Sequence, residues 1–218
     1  MKLKLYPIAT FVLAMLTVNC ASTKQKKKNA SAATEEKQEK SKSDLKAYDK
    51  VITKEAVSDS GLFTVHKVDE DYFYEIPDSL FNREMLMVTR IAKTATGIGF
   101  GGGKANTQVL RWEKKNKKVL LRVVSHEIFA ADSLPIHEAV SNSNFEPVLF
   151  SFDVKTINKD STATVVQVND LFSDDVQALG LPGYYRESYK VRNVDKGRGY
   201  IESLKSFPLN IESRHVKT

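Results

Sequence analysis

Metal or nucleophilic chemistry in this chain would have to draw on four histidines, His66, His126, His137 and His215, and on one cysteine, Cys20. His126-Glu127 begins as the zinc-protease pattern His-Glu-x-x-His does, but Ala130 stands where the second histidine is required. That pattern works because two histidines one helical turn apart share a face and the glutamate activates metal-bound water. Here one ligand sits on what reads as a strand end. His126 and His137 have no spacing that makes them a metal pair, and Ser125, His126 and Asp132 have none that marks a triad. Cys20 belongs to the leader, which excludes a Cys–His dyad. Gly97, Gly99 and Gly102 match G-x-G-x-x-G, yet a dinucleotide site needs a helix after the loop. Val109-Leu110-Arg111-Trp112 reads instead as a strand. A phosphate loop fails as well, because Ala105 follows Lys104 and Ile98 holds the place of the first glycine. Asp69-Glu70-Asp71 and Asp174-Asp175 read as turn acids. Tyr184, Tyr185 and Tyr189, among Arg186, Lys190 and Arg192, read as core packing or as a sticky surface. The expectation is a chain with no catalytic, cofactor-binding or metal-binding residues and no small-molecule ligand.

The elements around these residues are short and strand-like. Phe63 and Val65 alternate with polar neighbours, Asp69-Glu70-Asp71 turns the chain, and Tyr72–Ile76 returns until Pro77 stops it. Asp78 or Ser79 can cap a helical turn over Leu80 and Phe81. Met85–Ile91 is apolar enough to predict a central strand. Leu45–Val57 reads as an amphipathic helix carrying Leu45, Tyr48, Val51 and Ile52 on one face. Two more hairpins follow, over 109–124, with Trp112 as a core anchor, and over 148–168, with Asn158-Lys159-Asp160 at the turn. A helix is expected over 133–143 with Pro135 in its first turn, a short one near Leu171 and Phe172, and a loop over 179–185. Two last strands flank Pro208. Eight or nine strands predict a β-rich α+β fold of antiparallel hairpins, closing as a sheet, a sandwich or a partial barrel with a few short helices. The divisions expected are a hairpin–helix–strand module over 45–95 and a β-rich domain over 96–218, the latter incomplete at its C-terminal end.

Upstream of this the composition changes. Lys2 and Lys4 precede the 14-residue apolar run Leu5–Val18, too short for the roughly 20 residues of a membrane span and right for a secretory signal over 1–20. Cys20 ends the run and reads as the lipidated first residue of a lipoprotein. Residues 21–44 contain no aromatic or large aliphatic side chain and read as a disordered tether. Residues 1–20 carry two lysines, and residues 21–50 carry nine lysines and five acids. The whole formal charge of +6 therefore lies in the first 50 residues, and the remainder is neutral. A nucleic-acid partner is not expected. A basic tether beside an acylated cysteine suits an anionic membrane surface.

Several stretches also carry a family likeness. Gly61-Leu-Phe-Thr-Val-His-Lys67, Tyr72-Phe-Tyr-Glu-Ile-Pro-Asp-Ser-Leu80, Met85-Leu-Met-Val-Thr-Arg-Ile91, Gly101–Glu113, Ser143–Pro147 and Ser203–Glu212 resemble the opening of large exported bacterial zinc-dependent metalloproteases. In that family two domains of unknown function precede a metzincin-type catalytic domain. The likeness covers roughly residues 45–218 and is structural in character. It implies a non-catalytic, supporting region of an exported, lipid-anchored protein, held in the cell envelope as a periplasmic or outer-membrane lipoprotein. Its partners would be the membrane, through Cys20, and a downstream catalytic domain, to which any zinc would belong. The chain alone is expected to be inactive. The alternative is a stand-alone envelope lipoprotein that binds a peptide, glycan or protein.

Overall fold

The structure is a computed structural model, and it describes residues 45–218. A short helix α1 (Tyr48–Val51) leads into strands β1 (Val57–Ser60), β2 (Thr64–Val68), β3 (Asp71–Pro77) and, after a 3-10 turn at Asp78–Leu80, β4 (Glu84–Arg90). The hairpin β5 (Lys104–Lys115) and β6 (Lys118–Val124) follows, then helix α2 (His137–Ser143) and the hairpin β7 (Val148–Ile157) and β8 (Ala163–Gln167). Helices α3 (Asn169–Ser173) and α4 (Gly183–Ser188) precede the last hairpin, β9 (Tyr200–Ser206) and β10 (Ile211–Val216). The chain is thus β-rich, with an eight-stranded antiparallel sheet in the order β1-β2-β3-β8-β7-β6-β5-β4 and a two-stranded sheet of β9 and β10.

Connectivity forces this sheet to curl. β3 and β4 are consecutive in the chain but stand five positions apart in the sheet. At about 4.8 Å per strand, a flat sheet would put them about 24 Å apart. The six residues 78–83 contain a 3-10 turn with Leu80 buried and cannot bridge that distance. The sheet therefore bends until β4 and β5 face β2 and β3. Register shifts mark β7 at both of its partners, between Leu121 and Arg122 on β6 and between Val154 and Thr156 on β7 itself, and such bulges let a sheet bend. Inside the curl, Trp112 of β5 meets Phe63 beside β2, Tyr74 of β3 and Phe152 of β7, with ring centroids 5.8, 6.2 and 5.4 Å apart. Ile76, Val119, Leu121 and Val166 complete this core, and Leu204 of β9 joins it.

On the opposite face of β2-β3-β8, a second, smaller core holds Ile52, Phe73 and Val165, and Tyr48 and Val51 pack against it. Burial here explains the alternation in Tyr72–Ile76: even positions face the large core, while Phe73 faces α1. The β1–β2 turn meets the end of β9 very closely. A Cβ on Gly61 would lie 2.5 Å from Ser206 Oγ and 2.6 Å from Phe207 O. The Leu62 amide donates to Phe207 O at 2.7 Å and Ser206 Oγ donates to Phe63 O at 2.6 Å.

Four local expectations change. Met85–Ile91 does not form a central strand: β4 is an edge, half-buried at Met85, Met87 and Thr89 and exposed at the alternate positions. The helix expected over 45–57 is only four residues long, with Ile52 already extended, and Val57 belongs to a strand that pairs with β2. α2 begins at His137, two residues after Pro135. The segment 179–185 contains the start of α4.

Candidate functional site

Cross-strand pairing assembles a polar chain around the buried His66 that spacing along the sequence does not reveal. Ser58 of β1 stands opposite His66 of β2, and its Oγ lies 2.7 Å from His66 Nδ1. His66 Nε2 lies 3.1 Å from Glu75 Oε2 on β3. Tyr48 Oη of α1 donates to the same oxygen at 2.7 Å. His66 is only 4% exposed. With its proton on Nε2, the imidazole donates to Glu75 and accepts from the Ser58 hydroxyl, so every ring nitrogen is satisfied. The hydrogen bond from His66 holds the Glu75 carboxyl below its usual range, against the opposing effect of burial. Burial and the Glu75 carboxylate together push the Tyr48 phenol upward.

Serine, histidine and carboxylate in this order are the parts of an acyl-transfer relay. Two further requirements are a substrate cleft at the hydroxyl and donors for an oxyanion. The shallow hollow of about 560 Å³ beside this chain is lined by Glu75, Pro77, Asp78, Ser79, Asn158, Ser161, Thr162 and Ala163. It meets the relay at its carboxylate end, not at Ser58. What the geometry does is fasten α1 to β1, β2 and β3 through one carboxylate.

The residues singled out by type fall elsewhere. His126 is in a loop, exposed, with Nε2 3.0 Å from Glu84 Oε2. His137 opens α2, its Nδ1 2.8 Å from Ala130 O and 3.5 Å from Asp132. His215 packs its ring against Phe172 at 5.4 Å, and burial lowers its pKa. Among the described residues, no three His, Cys, Asp or Glu side chains converge as a metal site. Gly97–Gly103 closes the β4–β5 hairpin, where Gly102 donates to Ile91 O at 2.6 Å. Asp175 forms a paired contact with Arg186 at 2.6 and 2.7 Å. Tyr185 and Tyr189 stack with centroids 6.1 Å apart, and Tyr184 stays exposed beside them, so this group is a surface feature. Cys20 and the segments expected to form a signal peptide and a tether lie outside the described residues.

A different surface stands out on the side of the sheet away from the large core. The connection 125–147 is pinned there at both ends, by His126 to Glu84 and by Glu146, which pairs with Arg111 and whose carbonyl accepts from Arg122 at 2.8 Å. Arg122 also pairs with Glu113 and lies under the Phe145 ring. Between the pins, Ile128, Phe129, Leu134, Ile136 and Phe145 are exposed, Phe129 by 73% and Phe145 by 77%. Leu86 and Val88 of β4 extend the apolar character at the sheet edge. Five exposed large apolar side chains within one connection are a feature that suits an interaction site. Sequence alone gives the residues but not their exposure.

The fold and these sites define a curled β-sheet protein in which, among the described residues, the Ser58–His66–Glu75–Tyr48 chain fastens elements together. Residues 102–218 match the family described as Domain of unknown function (DUF5117). That is more than half of the chain, and the chain belongs to this family. Residues 45–94 match Domain of unknown function (DUF5118). Neither description carries a link to metzincin-type proteases. No curated protein and no solved structure matches the chain.

Proposed function

We propose that the chain is a non-catalytic N-terminal region of an exported, lipid-anchored zinc-dependent metalloprotease, and that it supports and shields a catalytic domain. The observation that carries this reading is the exposed apolar surface of Ile128, Phe129, Leu134, Ile136 and Phe145, fixed at both ends to the sheet. A supporting domain needs a surface of this kind to pack against its neighbour, and interdomain contacts resemble protein–protein interfaces. The motifs of 45–218 add the family likeness, and the short apolar run ending at Cys20 adds the anchor. The test is calorimetric titration of the full chain with the zinc domain of the protease family it resembles. Saturable binding, weakened about tenfold by Phe129→Ser with Ile136→Ser, supports the reading. Absence of binding, or equal binding by the variant, overturns it.

A second reading follows from the stacked Tyr185 and Tyr189 with exposed Tyr184 beside Arg186, Lys190 and Arg192. Aromatic platforms edged by cations suit a polymer ligand, as in a stand-alone envelope lipoprotein. Retention on an envelope glycan that is lost in Tyr184→Ala would favour it.

A further inference from the structure

The eight-stranded sheet ends in two edges of different character. At one end β1 is four residues long, and Asp59 accepts from the Ser206 amide of β9 at 2.9 Å. That edge is short and partly covered. At the other end β4 runs for seven residues and, among the described residues, pairs on one side only, with β5. Long open edges are templates for another strand. The bulge in the β4–β5 ladder falls on β5: Thr89 opposes Asn106 and Arg90 opposes Lys104, so Ala105 is the extra residue. β4 itself stays regular along its whole length.

Its sequence, Glu84-Met-Leu-Met-Val-Thr-Arg90, is complementary to its own reverse. We propose that two copies of this chain pair antiparallel through β4 about a twofold axis at Met87. In that register Glu84 stands opposite Arg90 of the second copy, at both ends of the pair. Leu86 stands opposite Val88, Met85 opposite Thr89, and Met87 opposite itself. Charges and apolar residues thereby meet on one face, because 84, 86, 88 and 90 all point away from the large core. Leu86 and Val88, 69% and 50% exposed in the single chain, gain apolar neighbours. Opposite charges placed directly across two strands stabilise a pair, and like charges destabilise it. A one-residue slip would place Leu86 or Val88 opposite a residue of the other face and part both charge pairs, so this register is specified. The contact is isologous and closes at two copies. Glu84 and Arg90 are only lightly engaged within the chain, Glu84 with an exposed His126 and Arg90 with Gly102 O at 3.4 Å. The two surfaces meet at Glu84, which also contacts His126, but the pairing is carried by the open edge of β4 and does not rest on the protease reading.

The experiment is sedimentation equilibrium of the full chain in density-matched detergent across a concentration series. Wild type, Glu84→Arg, Arg90→Glu and the double reversal are compared, each with its thermal melt. A reversible dimer is expected for wild type. Each single reversal places like charges at both ends and should weaken association by about tenfold or more, while the double reversal restores it to near wild type. Val88→Lys, at an exposed position, should be monomeric with a wild-type melt. A monomeric wild type at every concentration overturns the proposal. So does a double reversal no tighter than the singles, or a dimer unaffected by all four variants.

Discussion

Glu75 is the carboxylate on which the α1 attachment converges, and its removal gives a quantitative test of the buried relay. Glu75→Ala takes the shared acceptor from Tyr48 Oη and His66 Nε2. A hydrogen bond to a charged group contributes about 1.5–3 kcal/mol, and an orphaned buried donor costs about 1–3 kcal/mol. Tyr48 is half-buried and can turn to water, while His66 is buried and cannot. One charged bond and one orphan ring nitrogen together set the loss at about 2.5–6 kcal/mol, a shift of about 1–3 M in urea midpoint. The assay is equilibrium urea unfolding followed by the fluorescence of Trp112, the single tryptophan and a core residue. Glu75→Gln separates charge from shape. Because the folded-state pKa of Glu75 lies below its ordinary value of 4.5, its charged form contributes stability above that value. The contribution is lost as pH falls through the lower folded-state value. Wild type should therefore exceed Glu75→Gln in stability near neutrality, and the gap should close in acid. A loss under about 0.5 kcal/mol in Glu75→Ala, or a Glu75→Gln gap that is the same at both pH values, would refute the reasoning.

Other outcomes are expected. Trp112→Ala removes the ring that joins β5 to β2, β3 and β7 and should cost about 3–5 kcal/mol by thermal melt. Gly101→Ala drives a Cβ into the Ala92 carbonyl oxygen; amide exchange should quicken at Ile91 and Gly102, whose backbone bond closes the β4–β5 connection, while β3 and β8 keep their protection. If the lipoprotein reading holds, cells fed a palmitate analogue label the wild-type chain and not Cys20→Ala, and the label follows the membrane fraction. Protein purified without a histidine tag should carry less than one zinc per chain, with no change on His126→Ala, by plasma emission.

The hairpins were legible in sequence because their signals are local. Alternation in Phe63–Ile76, the Asn116 turn with its left-handed φ of 57°, and Asn158, whose side chain accepts from the Thr162 and Ala163 amides, are written in adjacent residues. Trp112 as a core anchor was also readable from size and apolarity. The position of β4 was not. Its composition suits a buried strand, and only the sheet order leaves Leu86 and Val88 uncovered. β1 was missed because Val57-Ser58-Asp59-Ser60 has no hydrophobic pattern; β2 supplies its ladder. The Ser58–His66–Glu75–Tyr48 chain depends on register across three strands, and a search for chemical motifs along the sequence passes over it. Asn169 or Asp170 suits the cap of the short helix near Leu171 by residue type, but Asn169 is engaged elsewhere. Its side chain instead accepts from the Tyr72 amide and donates to Glu70 O, a tertiary demand that overrides the local one.

The pairing of β3 with β8 has a consequence for how the chain is made. Phe73–Pro77 finds its second neighbour only in Ala163–Gln167, about ninety residues later. A chain that is synthesised, or threaded through an export channel, from its N-terminus would present the β1-β2-β3 hairpins first, with β3 bare along one side. β4 would follow with nothing beside it until β5 emerges. Partners so distant in sequence meet late and slowly, and a bare strand is exposed to wrong partners meanwhile. The segment 45–94 is therefore an unfinished object until residue 167 has appeared. Cutting the gene between the two matched segments would yield two sticky pieces, not two domains.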